Sequence, residues 1–385
     1  MKVSIQTKLL PTEEQKLFLS ETAKTFNTAC TWLAQEGFAN KIFSKFALQR
    51  LSYRFLREHF NLSAQQAVRA CARVAACFER DKNVCPVFRE TAGVPYDARL
   101  ISFKRDREGV PVTVSLLTVS GRQILPIIMG PRQRADFART NKTGETVLVR
   151  RKNGTWFLQV SVEMPELSPA TAENFLGVDL GIVNLASDSD GERHSGAKTD
   201  SCRERNSTLR GTLQRKKERM RQNGERPKNV CRKLKNLSGR ETRFKKNENH
   251  RISKELVLKA KGTGRGIALE DLSGIRDRVG KRFRKAQRAR FGSWAFGQLR
   301  SFIVYKAIMN GVEVQVVDSH NTSRECSECH HIDKKNRKTQ AIFYCQKCGH
   351  KENADTNASK IISFRASRAS VNAPIVSRNP DRSAI

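Results

Sequence analysis

Apolar residues in this chain recur at two different spacings, and the changes between them divide it. Residues 1–10 alternate and predict a strand. Pro11-Thr12-Glu13-Glu14-Gln15 then opens a helix, with Thr12 and Gln15 at capping-box spacing. Leu19, Ala23, Phe26, Cys30 and Leu33 recur at intervals of 4, 3, 4 and 3, which is one helical face. Ser63 and Gln66 repeat the cap, and Ala67, Cys71, Val74 and Phe78 form the next stripe. Packing between helices accounts for both stripes. Arg69, Arg73 and Arg80 lie off the second stripe, open to phosphate or to water. From about 95 to 165 the period becomes two, with strands expected at 110–114, 147–149 and 156–160. Pro111 marks a sheet edge or a strand start, and Asn153-Gly154 marks a hairpin. A small antiparallel barrel or sandwich, interrupted by the helical segment, is the expectation. Residues 164–172, rich in Pro, Ser and Glu, read as a linker.

A second unit opens at Phe175. Strands are expected at 175–179, 182–188 and, across Asp190-Gly191, near 192–195. A basic helical stretch follows over 203–260, which Pro227 and Gly239 divide into two helices. Next come an apolar strand at 266–270, a helix at 295–309 stopped by Gly311, and a strand at 312–317. Asn357 to Phe364 reads as a short helix-like run. Beyond residue 364 the small, polar, basic composition predicts disorder.

At 385 residues the chain has room for two to four domains. Its 72 Lys and Arg against 38 Asp and Glu leave a net charge of +34, which points to a polyanionic partner, most naturally nucleic acid. Residues 201–260 hold 20 Lys and Arg against 6 Asp and Glu. Within this segment Arg215, Lys216, Lys217, Arg219, Arg240 and Arg243 are candidate nucleic-acid contacts, against the alternative of a solvated charged hairpin. No run of about 18 apolar residues predicts a membrane span, and the N-terminus lacks a signal-peptide core. Six of the ten cysteines are scattered, which fits a reducing compartment and a cytoplasmic location.

The other four cysteines are paired. Cys326 and Cys329 are separated by two residues, as are Cys345 and Cys348, with fifteen residues between the pairs. Two such knuckles complete a tetrahedron of thiolates around one structural Zn2+. His330, His331 and His350 are alternative ligands.

Three acids stand in suggestive places. Asp179 ends an apolar strand between Gly177 and Gly181, which leave room for ions and a phosphate. Glu270 ends another strand, and Asp355 precedes the last helical run. Phosphodiester hydrolysis by two metals needs carboxylates on rigid strand ends and helix starts, converging on ions about 4 Å apart. Three strands, then a strand with an acid, then a helix with an acid is the order of an RNase H-like fold. Asp271 competes with Glu270, and Asp188, Asp190 and Asp318 compete for auxiliary roles.

These residues resemble the TnpB family, RNA-guided nucleases of insertion-sequence transposons related to compact type V CRISPR effectors. The resemblance runs over nearly the whole chain. Its weaker marks are Pro11 with Gln15 and Val94-Pro95-Tyr96-Asp97-Ala98-Arg99. Stronger ones are Gly177-Val178-Asp179-Leu180-Gly181, Arg240-Glu241-Thr242-Arg243-Phe244 with Asn249-His250, and Glu270-Asp271-Leu272. Ser293-Trp294 with Phe296 and Tyr305-Lys306-Ala307 also fit. The most specific are Thr322-Ser323 before the cysteine pairs, Gly349 after them, and Ala354-Asp355 with Asn357-Ala358. Two positions depart: His330 stands where the family usually has Gly, and Ser359 where a second Ala is common.

The resemblance implies an α/β multidomain chain. A wedge-like β-barrel would comprise 1–11 and 91–165, and a helical recognition domain 12–90. A RuvC-like nuclease domain would comprise 173–322 and 351–366, with 203–260 as a basic insertion, 323–350 as an inserted zinc ribbon and 367–385 as a tail. It implies guide RNA and target DNA as partners and DNA cleavage beside a short flanking motif. Asp179, Glu270 and Asp355 would hold Mg2+ or Mn2+, and Cys326, Cys329, Cys345 and Cys348 would hold zinc. Rival readings are a nuclease-inactive RNA-guided repressor, a guide-independent zinc-ribbon module and a DDE-type transposase.

Overall fold

The Thr12 hydroxyl accepts the Gln15 N–H (3.2 Å) and the Gln15 side chain accepts the Thr12 N–H (3.1 Å), so α1 (Glu13–Ala39) begins there. Ser63 and Gln66 close the same box at the start of α3 (Ala64–Arg80). Between them runs α2 (Lys45–Glu58), capped by Ser44. Both apolar stripes are buried where these helices meet. In this computed structural model residues 1–140, 143–165, 167–169, 171–272 and 296–371 are described. They form two units, Met1–Pro165 and Glu166–Ile385. Ser293, Trp294 and the tail from 372 onward lie outside the described residues.

The first unit joins its helices to a seven-stranded sheet. The strands are β1 (Lys2–Leu9), β2 (Val94–Tyr96), β3 (Ile101–Arg105), β4 (Pro111–Thr118), β5 (Gly121–Ile128), β6 (Thr143–Arg150) and β7 (Trp156–Glu163). Their order is β2-β6-β7-β1-β5-β4-β3, antiparallel throughout. The sheet curls: the Tyr96 hydroxyl on one edge strand donates to the Leu117 carbonyl of β4 (3.1 Å). No ladder among the described residues joins β2 to β3, so the expected barrel is an open, curled sheet. Pro111 begins a strand, and Gly154 adopts φ 83° in the hairpin turn. One short helix, α4 (Pro131–Ala138), has no forerunner in the apolar pattern. Two of the three off-stripe arginines have structural work. Arg73 donates to Asn27 Oδ1 (3.0 Å) and to the Gly93 carbonyl (2.6 Å), and Arg69 pairs with Glu145.

The second unit is built on β8 (Phe175–Asp179), β9 (Asn184–Asp188), β10 (Arg193–Ser195), β11 (Gly266–Glu270) and β12 (Val314–Val317), in the order β10-β9-β8-β11-β12. The pairs β10–β9 and β9–β8 are antiparallel, whereas β8–β11 and β11–β12 are parallel. Alternation along the strands supplies two apolar faces. Leu176, Val178, Ile267 and Leu269 pack with Ile252 and Leu256 of α7 (Arg240–Gly262) and with Leu299 and Ile303 of α8 (Phe296–Asn310). Phe175 and Ala268 face the other way, against Ile362 and Ala366 of α9 (Ala354–Val371).

Three expectations change here. The basic stretch forms three helices, α5 (Ala197–Gln222), α6 (Lys228–Leu237) and α7, because Pro227 caps one break and Gly239, at φ 73°, makes the other. Helix α9 starts at Ala354 and runs to Val371, so residues 365–371 are helical where composition predicts disorder. Ala366 is buried, and Arg365 donates to the carbonyls of Asp318 (2.8 Å) and His320 (2.9 Å). Lastly, Gly177 makes room for a helix, not for ions. A Cβ there would lie 1.9 Å from the Ser359 carbonyl of α9 and 2.6 Å from the Ser363 nitrogen. Gly181 serves a tight turn, where a Cβ would meet the Asn184 carbonyl at 2.7 Å. Gly177→Ala is therefore expected to destabilise the second unit by about 3 kcal/mol, the upper end of ordinary overpacking. Urea denaturation checks this, and a loss below about 1 kcal/mol would show that α9 can shift away freely.

Candidate active site and metal centre

Three elements bring the acids together. Asp179 and Glu270 end the adjacent parallel strands β8 and β11, in the register that pairs Val178 with Leu269. Asp355 sits in the first turn of α9, the helix that Gly177 admits against β8. Each of the three is half-buried. Burial pushes the Asp179 carboxyl well above the usual range, and the charges of Glu270 and Asp355 push it further. Burial also raises Glu270, against a hydrogen bond from Thr322 and the positive charges of Arg365 and Arg337. Asn184 Nδ2 donates to Asp355 Oδ2 (2.9 Å), and Arg337 Nη2 lies 3.5 Å from Asp355 Oδ1. Asn353 Oδ1 accepts the Asp355 N–H (3.1 Å) and caps the helix. Carboxylates this crowded resist ionisation unless a cation joins them, which suits the donor set to divalent metal.

The competing acids are accounted for otherwise. Asp271 is exposed and lies 3.9 Å from Arg300. Asp188 is fully buried, accepts the N–H groups of Asp190 (3.1 Å) and Glu192 (2.9 Å), and pairs with Lys259. Asp190 takes two bonds from Arg265 (2.9 and 2.6 Å), which pull its carboxyl down to about 2. Of these acids only Asp318 adds charge beside Glu270. Arg337 and Asn184 escape the sequence. Arg337 lies in the run Lys334-Lys335-Asn336-Arg337-Lys338, which reads as solvated charge, and nothing marks Asn184 apart from its place after the Asp179 strand.

The four cysteines converge more tightly. All four Sγ atoms lie within 4.8 Å of one another, the only such metal-ligating group among the described residues. Cys326 and Cys348 are 3.7 Å apart and Cys329 and Cys345 are 3.5 Å apart. Zn–S bonds of about 2.3 Å in a tetrahedron demand edges of roughly 3.8 Å. Burial pushes the Cys326 thiol up to about 12, whereas, against its own burial, backbone N–H groups and neighbouring thiols hold Cys345 down to about 6. The histidines named as alternatives are engaged elsewhere or stand outside the cluster. His330 Nδ1 lies 3.1 Å from Glu325 and its ring stacks on Phe364, while His350 Nε2 faces Glu352 (3.4 Å). His331 is not in the cluster. Among the basic candidates, Arg215, Lys216 and Arg219 of α5 and Arg240 and Arg243 of α7 are exposed, and Lys217 is half-buried. Arg243 Nη1 also donates to the Ser238 carbonyl (3.5 Å).

Residues 296–362 match the family model described as Cas12f1-like, TNB domain. The chain is 33% identical over 224 residues to a CRISPR-associated endodeoxyribonuclease Cas12f1 of Sulfoacidibacillus thermotolerans, covering 56% of this chain and 51% of that protein. It is 40% identical over 101 residues to a TnpB-like protein of Methanocaldococcus jannaschii, covering 25% and 36%. It is 24% identical over 320 residues to InsQ of Escherichia coli, covering 80% and 75%. Among solved structures, a Cas12f1 chain from a complex with sgRNA and target DNA superposes with TM-score 0.64 at 17% identity, over 92% of this chain and 83% of that one. The chain spans about half the length of the Cas12f1 relatives it matches. These matches make the chain similar to Cas12f1 and to TnpB-like proteins, and its fold similar to that of a Cas12f1 chain. Among the described residues no helix is long and apolar enough to cross a membrane.

Two measurements test the site. A carboxyl whose folded pKa is raised contributes stability below the ordinary carboxylate range, near 4, and loses it as pH rises through the elevated value. Asp179→Asn should therefore stabilise protein held free of divalent ions at neutral pH, by roughly 2–4 °C per kcal/mol relieved. The gain should shrink towards pH 4, and a lowered Tm would contradict the crowding described above. For the ribbon, freshly purified protein should carry one zinc, and it should lose that zinc as falling pH protonates the thiolates. Cys345→Ser should lower zinc content, and full retention would remove Cys345 from the ligand set.

Proposed function

We propose that this chain is an RNA-guided DNA endonuclease with a single RuvC-type, RNase H-like site. The observation that carries the reading is the convergence of Asp179, Glu270 and Asp355 from two strand ends and a helix start. The sheet order, three antiparallel strands continued by two parallel ones, agrees with an RNase H-like core. Several relatives are named as endodeoxyribonucleases, and the structural neighbour comes from a complex with sgRNA and target DNA. The boundaries implied by the family resemblance are kept as part of the proposal, with the RuvC-like domain extended along α9. The tail then begins beyond residue 371.

Asp179, Glu270 and Asp355 would hold Mg2+ or Mn2+, ions that when bound activate a water and stabilise the leaving oxygen of a phosphodiester. The protein's own groups prepare that chemistry. Asn184 fixes one oxygen of Asp355, leaving the other facing Arg337. Thr322 orients Glu270 by a hydrogen bond. Arg337 offers the guanidinium fork that suits a phosphate oxygen beside the acids. The zinc centre, filled by four sulfurs, is structural and closed. Guide RNA selects the target by base pairing, and the basic helices α5 to α7 hold the backbone without reading it. A nuclease-inactive repressor is disfavoured because all three acids share one site.

Glu270→Ala should abolish Mg2+-dependent cutting of a guide-matched duplex and leave target binding nearly intact. Cleavage at the wild-type rate would transfer the role to Asp271. Asn184→Ala, which removes a partner of a ligand but not the ligand, should cost roughly 10–100-fold and raise the Mg2+ requirement. Separately, neutralising Arg215, Lys216, Lys217 and Arg219 together should flatten the salt dependence of nucleic-acid binding, by roughly 0.7–0.9 in slope for each phosphate no longer neutralised. An unchanged slope would leave α5 as solvated surface.

A further inference from the structure

Asn357 is fully buried and stands two residues beyond Asp355 on α9. Its amide is spent on the zinc ribbon. Oδ1 accepts the Ser327 N–H (3.0 Å) and Nδ2 donates to the Glu325 carbonyl (2.8 Å). Those two backbone groups flank Cys326, a buried thiol of the metal centre. The side chain thus grips the first knuckle from both sides, much as a neighbouring strand would.

The second knuckle is tied to the same helix. The strand β14 (Lys351–Asn353) pairs with β13 (Ile342–Tyr344) and runs directly into α9. Ala354 is buried among Cys326, Phe343 and Cys345, and its N–H donates to the Ala341 carbonyl (3.0 Å). A third tie works from the ribbon outward. Asn336, also fully buried, donates to the carbonyls of Arg324 (2.9 Å) and His331 (3.0 Å) and accepts the Gln346 N–H (2.9 Å), bridging the two knuckles. Its neighbour Arg337 is the group that reaches Asp355. Asp355 and its cationic neighbour both hang on the thiolate cluster, through one asparagine each.

We propose that Asn357 is a positioning residue that couples the zinc centre to the acidic site, so that an intact zinc knuckle sets the affinity of Asp179, Glu270 and Asp355 for divalent cations. The coupling rests on the reading of those three acids as a cation site. It is a linkage and so must be reciprocal: divalent cations at the acids must tighten the hold on zinc by the same factor. A side chain that only satisfied its own polar atoms would change stability and nothing else.

The test uses full-length, zinc-loaded protein without nucleic acid. Mn2+ binding is read by electron paramagnetic resonance, and zinc release to 4-(2-pyridylazo)resorcinol is followed with and without Mg2+. In wild type, Mg2+ should slow zinc release. In Asn357→Ala, zinc should still load, Mn2+ binding should weaken by roughly 10–100-fold as for other outer partners of metal ligands, and the Mg2+ effect on zinc should vanish. Asp179→Asn should abolish the same Mg2+ effect while leaving the ribbon untouched. Should Asn357→Ala fail to fold, Asn357→Asp keeps the shape and the acceptor for Ser327, loses the donor to Glu325, and should show the same changes in smaller measure. Wild-type Mn2+ affinity in a folded Asn357 variant overturns the coupling alone, as does zinc release indifferent to Mg2+ in a wild type that binds Mn2+. A wild type that binds no Mn2+ overturns the reading of the acids, and the coupling falls with it.

Discussion

The closeness of α9 to β8 is the constraint on which the second unit depends. Only at a residue without a side chain can the helix backbone come within reach of the strand, and Gly177 is that residue. Ser359 and Ser363 exploit the approach, donating to the carbonyls of Ser187 (2.8 Å) and Phe175 (2.6 Å). The helix thereby adds its own hydrogen bonds to carbonyls of the two strands. The same approach delivers the first turn of α9 to the strand ends where Asp179 and Glu270 stand. Packing and chemistry are set by one contact, and a methyl group at residue 177 would disturb both.

The charge arrangement follows from this geometry. Bringing three carboxylates together is unfavourable in the absence of cations, and the surroundings offset only part of that cost through Asn184, Thr322, Arg337 and Arg365. The contrast lies one strand away, where Asp188 and Asp190 meet Lys259 and Arg265 and every carboxylate has a basic partner. That corner fastens the β9–β10 turn to the end of α7 and the residues just after it. Acids of similar appearance in the sequence thus serve opposite purposes, and the local balance of charge separates them.

What the sequence discloses has a physical pattern. Capping boxes at Thr12 and Ser63, the breaks at Pro227 and Gly239, and the paired cysteines are short-range devices, so their meaning survives in one dimension. The apolar stripes of α1 and α3 identify buried faces correctly, because period alone decides which side a residue occupies. The partner across the interface is not encoded that way. The purpose of Gly177 lies in Ser359, that of Arg337 in Asp355, and that of Arg73 in Asn27 and Gly93. Helix α9 is longer than its pattern suggests because the inward residues beyond Ile362 are small, the half-buried Ser363 and the buried Ala366.

The bond from Ser363 to Phe175 spans 188 residues of chain. Contacts of such separation bear a loop-closure entropy that local helices and hairpins escape, so they form late. The sheet, the basic helices and the thiolate knuckles can each take shape from nearer neighbours. The acidic cluster cannot, because Asp355 arrives only when the distal helix closes onto the first strand of its unit. A nascent or partly unfolded molecule therefore presents its basic surface before it possesses an assembled set of acids.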